Sequence, residues 1–271
     1  MALLNFKRGG MLPGRTAPAP EVPAPTGGML AVWGSPGSGK TTTAVKLAQT
    51  LSDAGHNTLL LFCDATTPML PCVIPPTELE APRSLRSILA ATAATGPLVR
   101  NNCNTLKHHS RLTVVGLLKG ENDYSFPLYS EEQARGILAC LREVAPFVVV
   151  DCSSNISNDV LSAAALMDAD AVLRLSGCDL KAVSYFSSQL PYMADARWRL
   201  DEHYKALSDL RPQHAADQVS AALGGTAFTL PHSEELWEQF LAGDLLPPLA
   251  LKDSRPYRQA LKSILKEVFG V

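Results

Sequence analysis

The sequence predicts a three-layer α/β fold, a mostly parallel sheet with helices on both faces. Three observations predict it. Short apolar runs without polar interruption recur along the chain, as strands buried on both faces require. Helical stretches separate these runs, so strand, helix and next strand read as parallel crossover units. The residues able to do chemistry fall at the carboxyl ends of the runs, where open parallel sheets bind their ligands.

The first run, MLAVW (29–33), leads into Gly34-Ser35-Pro36-Gly37-Ser38-Gly39-Lys40-Thr41, a G-x-x-x-x-G-K-T pattern. In this pattern backbone N–H groups cradle phosphates, the Lys reaches the terminal oxygens, and the hydroxyl sits on Mg²⁺. Lys40 is therefore a candidate catalytic residue and Thr41 a candidate metal ligand, while Thr42 at the helix start suits the α-phosphate. Ala44, Leu47, Ala48 and Leu51 then recur at helical spacing, and Gly55 in DAGHN ends the helix. Strand, glycine loop and helix together aim a helix N-terminus at a phosphate, which makes the predicted architecture a P-loop NTPase fold.

The later elements follow in order. NTLLLFCD (57–64) is a second buried strand ending in an acid, SRLTVVGLL (110–118) a third, PFVVVDCSSN (146–155) a fourth and DAVLRLSG (170–177) a fifth. HYKALSDLRP (203–212) and TAFTLPHS (226–233) read as two weaker edge strands, and 131–144 and 158–167 as helices. The segment 66–110, rich in Pro and Thr before a short helix around SLRSILAATAA, reads as a mobile region over the site. A connection of this length is uncommon unless it is a functional lid or disordered.

Asp151 closes an apolar run and suits the second acid of such sites, which holds Mg²⁺ usually through water. Phosphoryl transfer also needs a group that orients the attacking water. Asp64, ending the neighbouring strand, is the candidate; the plainer reading is a turn or cap residue.

Composition bounds the rest. The 271 residues are 46% apolar and 18% charged, which suits one globular domain. A net charge of −2 and a pI near 6.3 do not indicate a nucleic-acid binder, although local patches on an assembled dimer could still hold DNA. The six cysteines include no C-x-x-C pair, which favours a reduced cytoplasmic interior over a disulfide scaffold or zinc site. No apolar stretch reaches the roughly 18 residues needed to span a bilayer, and MALLNFKRGG lacks the features of a signal peptide. PGRTAPAPEVPAPTGG (13–28) reads as an extended linker, so the chain divides into a flexible segment, 1–27, and a nucleotide-binding domain, 28–271.

Across 29–268 the chain resembles the MinD/ParA family of P-loop ATPases. The likeness is carried by the glycine loop, by LLLFCDATTP, by FVVVDCSSNISNDVLSAAALMDADAVLRLSGCDLKAV and by TLPHSEELWEQFLAGDLLP. The resemblance implies ATP/ADP and Mg²⁺ as cofactors, a nucleotide-dependent homodimer, and a protein partner or cargo machinery that the ATPase positions. Three positions depart from the family. Its signature lysine would fall at Ser35; its second switch is replaced by Asp151-Cys152-Ser153-Ser154; and its adenine-reading Asn corresponds to Ser208. Base recognition would then rest on the backbone from Pro231 to Ser233. These departures resemble the atypical relatives of the TadZ/CpaE kind, though no receiver-like domain precedes Gly28.

SRPYRQALKSILKEVFGV, the last stretch, places Tyr257, Leu261, Ile264, Leu265 and Val268 on one helical face and Arg258, Lys262 and Lys266 elsewhere. Core packing is the favoured reading. A membrane interface is the alternative and would place the protein peripherally at the inner face of the membrane. MALLNFKR is a weaker anchor candidate, and His108 and His109 read as surface residues.

The leading expectation is thus a slow positioning or partitioning ATPase. A nucleotide-binding scaffold with little turnover is the alternative, and a small-molecule kinase a third reading, with Arg83, Arg86 and Arg100 in the segment over the site. A GTPase is disfavoured because no N-K-x-D motif occurs.

Overall fold

The computed structural model describes residues 27–271. The Pro/Ala-rich tract and MALLNFKR therefore lie almost wholly outside the described residues. The strands are β1 (Gly28–Gly34), β2 (Thr58–Phe62), β3 (Asn104–Thr105), β4 (Leu112–Val115), β5 (Phe147–Asp151), β6 (Ala171–Ser176), β7 (Tyr204–Leu210) and β8 (Phe228–Pro231). They form one sheet in the order β3-β4-β2-β5-β1-β6-β7-β8, parallel throughout except for the antiparallel β3–β4 pair. The helices are α1 (Lys40–Asp53), α2 (Leu70–Val73), α3 (Arg86–Leu89), α4 (Gly96–Asn101), α5 (Glu131–Val144), α6 (Val160–Asp168), α7 (Leu180–Gln189), α8 (Ala216–Ala222), α9 (Glu234–Leu241) and α10 (Arg255–Phe269).

Why the strands read as unbroken apolar runs is visible in β1. Leu30 and Val32 pack into one core with Leu47 and Leu51 of α1 and Leu261 and Ile264 of α10. Met29, Ala31 and Trp33 pack into the opposite core with Ile137 of α5, Leu161 of α6 and Phe186 of α7. Both faces are covered, so alternation disappears. Helix starts follow local chemistry. Ser130 and Gln133 form a capping box at α5, and Asp159 and Asp179 cap α6 and α7.

Two expectations are corrected. β7 is not an edge strand; it pairs with β6 on one side and β8 on the other, and β8 is the edge. Its polar residues suggested an edge, yet Lys205 donates to the Leu223 and Gly224 carbonyls at the end of α8, at 3.1 and 3.2 Å. Asp209 adopts φ 53° beside a register irregularity between β7 and β8.

The segment 66–110 is not a loose cover over the site. It supplies the edge strand β3 beside β4 and feeds both cores: Leu70, Val73, Ile74, Leu79 and Leu106 enter one, Leu85, Ile88, Leu89 and Val99 the other. Burial of a single Leu or Val side chain contributes about 1.5–3 kcal/mol, so this stretch is held by the core itself. Buried Asn104 secures its return, bonding the Arg83 N–H and C=O at 2.7 and 2.8 Å. Prolines and short helices hid that packing, because no long period could develop.

The apolar face of α10 (Tyr257, Leu261, Ile264, Leu265, Phe269) is buried against α1 and β8, and Lys262 and Lys266 are exposed. Phe269 meets the Phe147 ring edge-on at 5.3 Å. Among the described residues no helix is long and apolar enough to cross a membrane. All six cysteines are free, with Cys63 and Cys152 buried. His108 is exposed and bonded to Glu78.

Candidate functional site

The glycine loop joins β1 to α1 at the carboxyl edge of the sheet. At Gly34 a Cβ would come within 2.1 Å of the Leu175 carbonyl oxygen, so a side chain there would push β1 off β6. Gly39, the N-cap of α1, has φ 72°, a left-handed conformation that glycine adopts without strain. No side chain caps α1. The N–H groups of its first turn are therefore left to an anion, with the positive end of the helix behind them.

Beneath the loop the Thr41 hydroxyl donates to Asp151 Oδ2 at 2.7 Å. Asp151 is 1% exposed, and its Oδ1, like Ser38 Oγ, is buried without a hydrogen-bond partner. Burial pushes its carboxyl up to about 7; Lys40 and the Thr41 hydroxyl pull it down, and Asp64 adds to the rise. An orphaned carboxylate oxygen beside a hydroxyl is a donor set for a hard, oxygen-seeking cation, and these residues fit Mg²⁺.

Asp64 follows β2. Its Oδ1 accepts from the Thr66 and Thr67 N–H groups, both at 2.9 Å, so it is a turn residue as the plainer reading had it. That turn also fixes the carboxylate at the cavity wall, with Oδ2 unbonded among the described residues. After β5 the chain is tied to the glycine loop. Ser154 Oγ donates to the Gly34 carbonyl at 2.8 Å, the Tyr185 hydroxyl donates to the Ser154 carbonyl at 2.6 Å, and the Trp33 indole N–H donates to Tyr185 at 3.0 Å. Asp159 was not singled out by the sequence. Burial raises its carboxyl to about 6, against hydrogen bonds from the Ser162 N–H and hydroxyl.

These elements enclose a cavity of about 650 Å³. Pro36, Gly37, Gly39, Lys40, Thr41, Thr42, Asp64, Ser208, Pro231 and Ser233 line it; Gly34, Ser35, Ser38 and Asp151 are not part of the lining. The Ser35 hydroxyl accepts from the Gly177 N–H at 3.4 Å inside the protomer, so position 35 brings no charge to the cavity. Among the described residues Lys40 is the only Lys or Arg of the lining. Arg83, Arg86 and Arg100 stand elsewhere, Arg86 being 4.0 Å from Glu121.

Ser208 is buried beside Gly39 of the glycine loop. The Ser233 hydroxyl is engaged in capping α9, accepting from Leu236 N–H at 3.3 Å and donating to Asp253 at 2.9 Å. His232 lies between Asp209 and Glu234. Burial lowers its pKa, but the hydrogen bonds to both carboxylates outweigh this and leave it raised. The sequence also missed Met69, Leu236, Trp237, Phe240 and Tyr257 as lining residues of this cavity. The only local signal was aromatic content in α9, and which neighbours it would meet was set by the fold.

No protein-family model matches the chain, and no curated protein matches it by sequence. Solved structures do. A ParA family ATPase from Chlorobium tepidum TLS superposes with a TM-score of 0.70 at 13% identity, covering 88% of this chain and 98% of that one. The septum site-determining protein MinD of Pyrococcus horikoshii OT3, complexed with Mg-ADP, gives 0.66 at 14% identity, covering 89% and 95%. A MinC:MinD cell division complex of Aquifex aeolicus gives 0.68 at 13% identity, covering 90% and 96%. At such identities the likeness shows the fold: the chain has the three-layer architecture of MinD and ParA ATPases.

Proposed function

We propose that the protein is a MinD/ParA-like positioning or partitioning ATPase that binds Mg·ATP, dimerises with the nucleotide bound, and hydrolyses it slowly to release a partner. The observation that carries this reading is Asp151 beneath the uncapped start of α1, its Oδ2 held by Thr41 and its Oδ1 unpartnered, with Lys40 at the cavity wall. The fold shared with a MinD solved with Mg-ADP supports it.

In this reading the α1 N–H groups and Lys40 hold the phosphates, and Thr42 holds the α-phosphate. Thr41 and Asp151 would hold Mg²⁺, which neutralises charge on the terminal phosphates when bound. Asp64, fixed through Oδ1, keeps Oδ2 to orient the attacking water. Ser208, Pro231 and Ser233 line the same cavity, and base recognition is assigned to the backbone from Pro231 to Ser233. The likeness to the TadZ/CpaE kind rests on the sequence departures alone. With the α10 apolar face inside the core, any membrane contact falls to a surface other than that face.

Ser35 supports a second reading, a nucleotide-binding scaffold with little turnover, because among the described residues Lys40 is the only Lys or Arg of the lining. Light-scattering mass with Mg·ATP, Mg·ADP or no nucleotide, with phosphate release followed in the same samples, separates the two. A dimer found only with ATP, with slow release, is expected. One mass throughout without release would remove the switch reading and leave the scaffold.

A further inference from the structure

The cavity lining is chemically mixed: Lys40, Thr41, Thr42 and Asp64 are polar parts of it, and Met69, Leu236, Trp237 and Phe240 apolar parts. Two of the three tryptophans are core residues, Trp33 at 0% and Trp198 at 6% exposure, whereas Trp237 is 48% exposed at the cavity wall. Its indole is stacked on Phe240, with ring centroids 5.8 Å apart and planes 27° apart. Phe240 in turn packs against the buried core. One face of the indole is thus backed by a ring, and the side chain is free to meet a ligand on the other.

The helix carrying this pair is pinned. Ser233 caps it, and Glu235 accepts from the Ala250 and Leu251 N–H groups at 2.7 and 3.0 Å and from the Ser254 hydroxyl. A rigid, half-exposed aromatic facing a cavity offers a preformed surface to one kind of group, a flat heterocycle. The glycine loop in the same lining sets where such a group would come from.

We propose that Trp237, backed by Phe240, is the stacking platform for the base of the bound nucleotide. The inference rests on the nucleotide reading above and adds the residue that makes the site prefer a nucleoside triphosphate over bare polyphosphate. Recognition is then mainly by the face of the ring, since stacking asks only for a π-surface.

The test is calorimetric titration of the full chain, with Mg²⁺ present, by ATP and by inorganic tripolyphosphate. Wild type, Trp237→Ala and Trp237→Phe are compared, with melting curves as a control for folding. Base–aromatic stacking corresponds to about 5- to 150-fold in affinity. Trp237→Ala should weaken ATP by that range and leave tripolyphosphate unchanged, while Trp237→Phe keeps most of the ATP affinity. ATP, but not tripolyphosphate, should quench the intrinsic fluorescence of the wild type, and the quench should vanish in Trp237→Phe. Unchanged ATP affinity in Trp237→Ala, equal loss for both ligands, or a quench that survives in Trp237→Phe would each overturn the proposal. If the wild type binds tripolyphosphate and ATP equally, the platform falls and the phosphate site stands. If it binds neither, both fall together.

Discussion

Replacing Asp151 by Asn should remove a proton that the binding of Mg·nucleotide expels. In the free protein burial holds the Asp151 carboxyl at about 7. A carboxyl that ligates a cation must be ionised. At pH 6 most molecules would carry the proton and release about 0.9 of it on binding, against about 0.1 at pH 8. Affinity for Mg·nucleotide should then tighten about tenfold between pH 6 and 8 from this group alone. Calorimetry in two buffers of different ionisation enthalpy reads the proton count directly. The nucleotide's own phosphate titration is common to wild type and Asp151→Asn and cancels in the comparison.

The same shift sets a stability effect with the opposite pH sense. The folded pKa of about 7 lies above the ordinary 3.8, so the folded state holds the extra proton between those values. Stability of the free protein therefore falls as pH rises through that window and is lowest above it. The linkage ceiling is about 4 kcal/mol, so Asp151→Asn without ligand should melt higher than wild type at pH 8 and show a smaller difference at pH 5. Equal proton release by wild type and Asp151→Asn, or a variant no more stable at pH 8, would refute the reading of a buried carboxylate under the loop with only Thr41 to bond it.

Three further outcomes are expected. Asp64→Ala should abolish phosphate release while nucleotide affinity, read by calorimetry, changes little, because Asp64 Oδ1 holds the Thr66–Thr67 turn rather than α1. Ile88→Ala and Leu89→Ala should each cost about 2–5 kcal/mol in denaturant unfolding, as core truncations do; a loss under 1 kcal/mol would fit a mobile cover and not the packed segment. Lys46, buried in α1, donates to the Leu245 and Pro247 carbonyls at 2.6 and 2.7 Å and to Gln49 at 3.2 Å. Lys46→Met leaves those carbonyls without their donor, at about 1–3 kcal/mol for an orphaned buried group, and should lower the melting temperature by several degrees.

How much was legible in the sequence depended on how local the cause was. Residues 131–144 were readable to their ends because Ser130 and Gln133 close a capping box just before an amphipathic period begins. The glycine loop was readable because its conformation is set by its own residues. Asp159 was not, since its raised carboxyl comes first from burial by the elements packed around it, with Asp64 from beyond β2 adding to the rise. Polar residues in β7 misled because their partners, such as the end of α8, are supplied by another element. In 66–110 the apolar residues were present but divided between two cores, so neither produced a period.

The sequence by itself determined the parallel sheet, the loop after β1 and the acids at the ends of β2 and β5. These follow from hydrophobic runs, glycine's conformational range and strand-end position, all of which act within a few residues. Only the tertiary structure decided that Ser35 turns inward to Gly177 and that α10 covers α1 instead of presenting its apolar face. Only it brought Met69, Trp237 and Tyr257, from three separate elements, to the lining of one cavity. The reason is physical: a side chain's neighbours depend on which strands pair and which faces are covered, and that choice is made by the whole core at once.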